Sequence, residues 1–373
     1  MLRSQLSRLP PYKFPPIIGR NQNLKLNLRS LFLVKAISHS SRIYFDFTGA
    51  PGTWTEPILP VTLEKDVGLR YVDENASQYP DLPLEPLFRA IYTINPEYDP
   101  KQIDLVTDRN NLGKLVNVIS GIRLNDFRID IELVGNTLLF QRWERFNEDC
   151  VSSSDFKGFW KRFEQILTTY PADLRNSSSN HRIIQSTLGQ ITILLRFVGK
   201  AYLPESVATT SPNPIHNLNA AIQAIQLNTS GTNLRVLRGG VEVPHQALVE
   251  LKSRAWKNPL NYEDPDFMFQ LWIAQVENLK SGYYVRGGQF IKIEDKNFRE
   301  EGQFGKFEEQ NGQMLKKLVC LVENIREMVR EHKSKLAVLL YEREVGEMQL
   351  YSYDAGTTIK HLLPFDLLSK WET

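Results

Sequence analysis

Residues 247–254 read ALVELKSR. Apolar positions alternate through this stretch, which predicts a strand, and Glu250 and Lys252, two residues apart, project from one face of it. A carboxylate beside an ammonium on one strand face can present an oxygen ligand to Mg²⁺ and steady the charge that develops on a phosphate. The same pair also suits an ordinary solvated strand face. Its meaning therefore depends on what surrounds it.

Working outward, the pattern is mixed. Helices are predicted over 83–93, 109–118, 155–169, 266–280 and 313–331, the last with Leu315, Leu318, Val319, Val322, Ile325 and Val329 on one face. FRIDIEL (127–133) and TLLFQRWE (137–144) read as a hairpin around Gly135-Asn136, with Asp130 and Glu132 on its solvated side. Strands are expected at 191–197, 234–237, 336–342 and 348–354, and a second hairpin turns at Gly287-Gly288. The fold class is α+β, a mixed β-sheet core flanked by helices. Residues 204–217 are polar and contain prolines, which reads as a surface insertion.

Composition narrows the field. With 373 residues, 42% hydrophobic and 24% charged, the chain has the makeup of a globular protein. No apolar run approaches the roughly 20 residues of a membrane span, so no membrane partner is expected. Cys150 and Cys320 are too few and too far apart for a disulfide framework, and six scattered histidines give no zinc spacing. A metal, if used, is expected on oxygen ligands. The net charge of +2 conceals an uneven distribution. Residues 1–45 hold eight basic residues and no acidic one, leaving 37 basic against 43 acidic in the remainder. An RNA would have to be met by a local groove, since the overall field does not attract it. The division expected is a basic N-terminal arm (1–45) and one domain (46–373). An acid-free, Arg-containing start also matches a mitochondrial leader, beside the nuclear or cytoplasmic alternatives.

Taken in order, several segments resemble the DXO-type family of RNA 5′-end decapping nucleases, which includes the Rai-type partners of nuclear 5′→3′ exoribonucleases. DLVTDRNNLGKL (104–115) is similar to the segment with a substrate-binding arginine, here Arg109. KRFEQ (161–165) is similar to the motif with a metal-binding carboxylate, here Glu164. VELKS (249–253) matches the Glu-x-Lys motif, QLWIAQ (270–275) resembles the helix that follows and ends in Gln275, and HLLPFDLLSKW (361–371) is similar to the C-terminus. The resemblance implies a PD-(D/E)XK-like fold and a Mg²⁺- or Mn²⁺-dependent hydrolase acting on RNA 5′ ends. Glu164 and Glu250 would hold metal, Lys252 and Gln275 would act at the scissile phosphate, and Arg109 would bind substrate; an exoribonuclease is an implied partner.

One motif departs from this pattern. The resemblance calls for a Glu-x-Asp pair after ITILLRF, where this sequence has VGKAYL (198–203). In either register both acids are lost and Lys200 stands where a cation would bind. Trp160 replaces an expected glycine, and Lys161 an expected aromatic. Glu242 is the one nearby acid that could stand in as a third ligand; it equally reads as an exposed turn residue. Two functions follow: a metal-dependent decapping hydrolase, impaired by the loss of the acids at 198–202, or an inactive relative that binds RNA or holds an exoribonuclease.

Overall fold

The computed structural model describes residues 6–8, 26–39, 42–46, 50–152, 154–155, 158–170, 177–205, 235–237, 243–353 and 360–372. Glu242 and residues 206–217 of the expected insertion lie outside them. The architecture is α+β, with two large mixed sheets and a two-stranded ribbon. The larger sheet has eleven strands. At its centre Ile191–Gly199 runs parallel to Leu105–Asp108 and antiparallel to Ser177–Leu188. Leu26–His39 and Arg42–Asp46, from the basic stretch 1–45, extend this sheet beyond Ser177–Leu188. The smaller sheet has seven strands, with Leu248–Ala255 parallel to Asn278–Val285 and the latter antiparallel to Gln289–Asn297.

Ile191–Gly199 is buried on both faces and is correspondingly apolar, as a central strand must be. Its chain then changes sheets: Ala201–Tyr202 pairs within the smaller sheet, next to Leu248–Ala255. Lys200 is the single residue between them. The strand break therefore delivers the Lys200 side chain to the seam where the two sheets meet.

Helices Arg109–Ile119, Pro265–Ala274 and Gln303–Glu331 cover one face of the larger sheet in a core that includes Leu112, Leu115, Trp272, Leu318 and Val322, all fully buried. The opposite face is closed by Glu85–Ile94 and by the C-terminal segment, through Leu363, Leu367 and Trp371. Trp371 stacks edge-on against Phe88 and its indole N–H donates to Thr137 Oγ1 at 2.8 Å. Arg89 ties the two together by pairing with both Glu85 and Asp366.

That C-terminal segment corrects the expectation for the first hairpin. Glu132 is buried, because Leu362 N–H donates to Glu132 Oε2 at 2.7 Å and His361 Nδ1 lies 2.6 Å from Oε1. Asp130 is half-buried and paired with Arg128. Two helices are also shorter than periodicity predicts. The helix expected over 155–169 spans Trp160–Ile166; Asp66 accepts from the N–H groups of Lys161 and Arg162 at its start, and Thr168–Thr169 pairs with Thr53 and Trp54 at its end. The helix expected over 266–280 stops at Ala274, where Gln275 turns left-handed (φ 52°), and Asn278 starts the next strand with its amide bonded to Gln246 and Leu248 carbonyls. Conversely, the Gln303–Glu331 helix begins ten residues before the predicted start.

The short Trp160–Ile166 helix reaches the smaller sheet through Phe163, which stacks on Phe290 with centroids 5.1 Å apart. Gly282 makes this approach possible, since a β-carbon there would overlap the Phe163 ring and sit 2.9 Å from Phe290 Cδ1. Gly282→Ala is expected to lower stability by about 1–3 kcal/mol, the usual result of overpacking. Urea unfolding of the two proteins checks this.

Candidate functional site

A cleft of about 530 Å³ opens at the seam, lined among others by Arg109, Trp160, Glu164, His181, Val198 and Lys200. Two helices, one strand and the residue between two further strands supply the central groups. Arg109 begins the Arg109–Ile119 helix at the end of Leu105–Asp108. Its neighbour Asp108 is committed to Arg196 through two contacts, of 2.6 and 3.0 Å, so Arg109 turns inward. There its guanidinium approaches Glu250 Oε2 at 3.3 Å and lies 5.6 Å from the Phe197 ring centroid.

Glu250 and Lys252 project from Leu248–Ala255 as the period-two pattern requires. Glu250 is only 3% exposed, and Lys252 Nζ sits 3.4 Å from its Oε1. Glu164 comes from the Trp160–Ile166 helix and meets Lys200 Nζ at 2.7 Å, with about a fifth of each side chain exposed (22% and 20%). The Lys200 ammonium also stands 5.1 Å from the Trp160 ring centroid, within cation–π range. Val198 and Lys200 both line the cleft, whereas Tyr202 hydrogen-bonds Thr53 Oγ1 away from it.

The electrostatics follow from this inventory. Burial pushes the Glu250 carboxyl up, but Lys252, Arg109 and Lys200 together outweigh it and hold it down at about 2. Burial would lower Lys200, yet Glu164 and then Glu250 raise it above the ordinary lysine value. Glu164 is raised by burial, with Lys200 opposing and Glu250 adding to the rise. Two carboxylates thus face three cations, Lys200, Lys252 and Arg109, for a formal charge of +1.

Of the residues marked out by sequence, Arg109, Glu164, Glu250 and Lys252 converge here. Gln275 does not: it is buried at the end of its helix, donating to Trp272 O at 2.6 Å and accepting from Arg299 at 3.0 Å. Glu242 is outside the described residues. The structure adds residues that no motif marked. His181 lies 3.6 Å from Glu74 and 3.0 Å from Ser179 Oγ, and Asp73 and Tyr170 line the same wall. His181 and Ser179 come from a strand, Ser177–Leu188, whose polar start hides its periodicity.

The donor set does not fit a divalent metal. Among the described residues no three His, Cys, Asp or Glu side chains group to hold one. Glu250 Oε1 makes no hydrogen bond but is buried with the Lys252 ammonium 3.4 Å away, and Glu164 is already bound to an ammonium. Mg²⁺ or Mn²⁺ would enter a site that is net positive before it arrives, with too few anionic oxygens to offset the loss of its hydration shell.

Solved structures with the same fold stand at low identity. Rai1 of S. pombe is 14% identical, with 92% of this chain and 96% of that one covered, at a TM-score of 0.55. Candida albicans Rai1 in complex with pU5-Mn²⁺ is 12% identical over 98% of this chain and 99% of that one, also at 0.55. Scheffersomyces stipitis Rai1 in complex with (3′-NADP)⁺ and calcium ion is 9% identical, with coverage of 95% and 99%, at 0.54. These define the fold as Rai-like. Residues 30–371 match the family described as "Domain of unknown function (DUF8563)", and the chain belongs to that family. No curated protein sequence matches it.

The depressed Glu250 carboxyl makes stability depend on pH in a set direction. A carboxyl at about 2 in the folded protein, against an ordinary 4.5, adds stability that is full above 4.5 and is lost as pH falls toward 2. The advantage of wild type over Glu250→Gln in urea unfolding is therefore expected to shrink steadily across that window and to be constant above it.

Proposed function

We propose that this chain binds the 5′-phosphorylated end of an RNA and does not hydrolyse it. The observation that carries this reading is the 2.7 Å contact between Lys200 and Glu164, which puts a tethered ammonium against the carboxylate expected to hold metal. Hydrolysis of a phosphate ester needs charge neutralised on both attacking and leaving oxygens and a water activated near neutral pH, and divalent ions supply both. An ammonium held protonated by two carboxylates supplies only a charge and hydrogen-bond donors. It can grip a phosphate, not make hydroxide.

Binding needs less. Arg109 holds Glu250 only at 3.3 Å and keeps further N–H donors in the fixed fork that matches phosphate. With Lys252 and Lys200 it forms a cationic cluster around Glu250 and Glu164. The likeness in fold to Rai1 structures that hold pU5 or a dinucleotide supports the ligand class. The inactive-relative reading is thus preferred to the decapping hydrolase.

The test is calorimetric titration of Mn²⁺ and Mg²⁺, paired with product analysis on capped and 5′-phosphorylated RNA. No saturable heat and no released product are expected. Saturable binding with cleavage, both lost in Glu250→Ala, would restore the hydrolase reading. A converse variant is sharper. Lys200→Glu removes the tethered cation and sets a third carboxylate beside Glu164 and Glu250, so Mn²⁺ affinity should rise by roughly tenfold or more. Unchanged Mn²⁺ affinity in a folded Lys200→Glu protein would contradict the account.

A further inference from the structure

A second cavity, of about 860 Å³, lies beside the first. Its floor is aromatic: Phe159 and Tyr284 meet edge-to-face with centroids 4.7 Å apart. Trp256 forms a wall and is 50% exposed, a large aromatic surface left open to water. Lys257 and Arg286 stand on the rim, both exposed, and neither forms an ion pair among the described residues. The rim acid Glu64 is taken by Arg162 at 3.3 Å.

The two cavities share a wall. Phe159 lines the second, and the next residues in the chain, Trp160 and Lys161, line the first. Leu248–Ala255 connects them on the other side, because its Glu250 contacts Arg109 of the first cavity at 3.3 Å and the strand runs straight into Trp256 of the second. Four residues of strand from Lys252 to Trp256 span roughly 13 Å. That is a couple of nucleotide lengths in an unstacked strand.

We infer that the second cavity takes a base of a downstream nucleotide, stacked on Trp256, with the adjoining phosphates on Lys257 and Arg286. An exposed aromatic face beside unpaired cations is what single-stranded nucleic acid requires, since every base offers a π-face and every linkage a charge. An extended peptide would need an open strand edge to pair with. The edge nearest this cavity, Val61–Thr62, is two residues long. The inference rests on the 5′-end reading and extends it from the terminal phosphate to the following nucleotides. It also gives the ligand a polarity, with its 5′ phosphate at Lys200 and its chain running toward Trp256.

The experiment compares a 5′-phosphorylated hexauridylate with uridine 5′-monophosphate, by fluorescence anisotropy and calorimetry, on wild type, Trp256→Ala, Trp256→Phe and Arg286→Glu. Trp256→Ala should weaken the hexanucleotide by about fivefold or more, the lower range of base stacking, with mononucleotide affinity unchanged. Trp256→Phe should recover most of that loss. Arg286→Glu should weaken the hexanucleotide and reduce the salt slope of its binding by about one. Hexanucleotide binding that ignores both positions overturns the inference and leaves the groove to an acidic peptide. Equal losses for both ligands also overturn it, as a general defect. Wild type that binds neither ligand refutes the 5′-end reading and this extension of it. Trp256-dependent hexanucleotide binding without mononucleotide binding keeps the second cavity and refutes the first as a phosphate site.

Discussion

One ion pair organises the centre of this protein. Lys200 stands at the residue where the chain leaves the larger sheet and enters the smaller one, and its ammonium reaches Glu164 at 2.7 Å. Neither partner is free to move far: Gly199 closes one strand, Ala201 opens the next, and Phe163 beside Glu164 is stacked into the smaller sheet. Removing either member would leave a largely desolvated charge at the seam, which costs far more than a surface pair contributes. The Trp160 ring completes the cage around the ammonium. Trp160 and Lys200 both depart from the resembled pattern, and the ammonium stands 5.1 Å from the ring centroid. A bulky ring and a tethered cation together occupy space and charge that a hydrated metal would otherwise need.

Charge balance then decides what the cleft can do. Five groups share it, and each is read through the others: three cations hold Glu250 ionised, and two carboxylates hold Lys200 protonated. Such a set is preorganised to receive an anion, because its donors are fixed by existing pairs and need little rearrangement. For a divalent ion it offers few anionic oxygens, because Glu164 is already tied to Lys200 and no three carboxylate, imidazole or thiol groups cluster among the described residues. The fold supports both outcomes equally; the residues at one strand end separate them.

Much of the architecture was readable in the sequence because it rests on local periodicity. The Arg109–Ile119 helix, the Phe127–Trp143 hairpin, the Ile191–Gly199 strand and the Glu250/Lys252 face all follow from spacing. What escaped depends on tertiary contacts. Ser177–Leu188 begins with serines and carries His181 and Arg182, buried only because neighbouring strands flank it. Glu132 looks like a solvated strand residue until the distant C-terminal segment donates to it. Gln275 ends a helix that its apolar pattern would continue, and its amide is spent on that turn and on Arg299. At the site, order along the chain brought out Arg109, Glu164, Glu250 and Lys252, and the same order exposed the lysine among them. The pairing of Lys200 with Glu164 could not be read that way, since it depends on the sheet switch at residue 200.

In the function proposed above, Lys200 holds the ligand's phosphate without a metal. The most direct measurement is the affinity for a 5′-monophosphorylated oligonucleotide in excess chelator and again in saturating Mn²⁺. Equal dissociation constants are expected in both. Affinity that appears only with Mn²⁺ would mean that a divalent ion still occupies the centre, and that Lys200 has not replaced it.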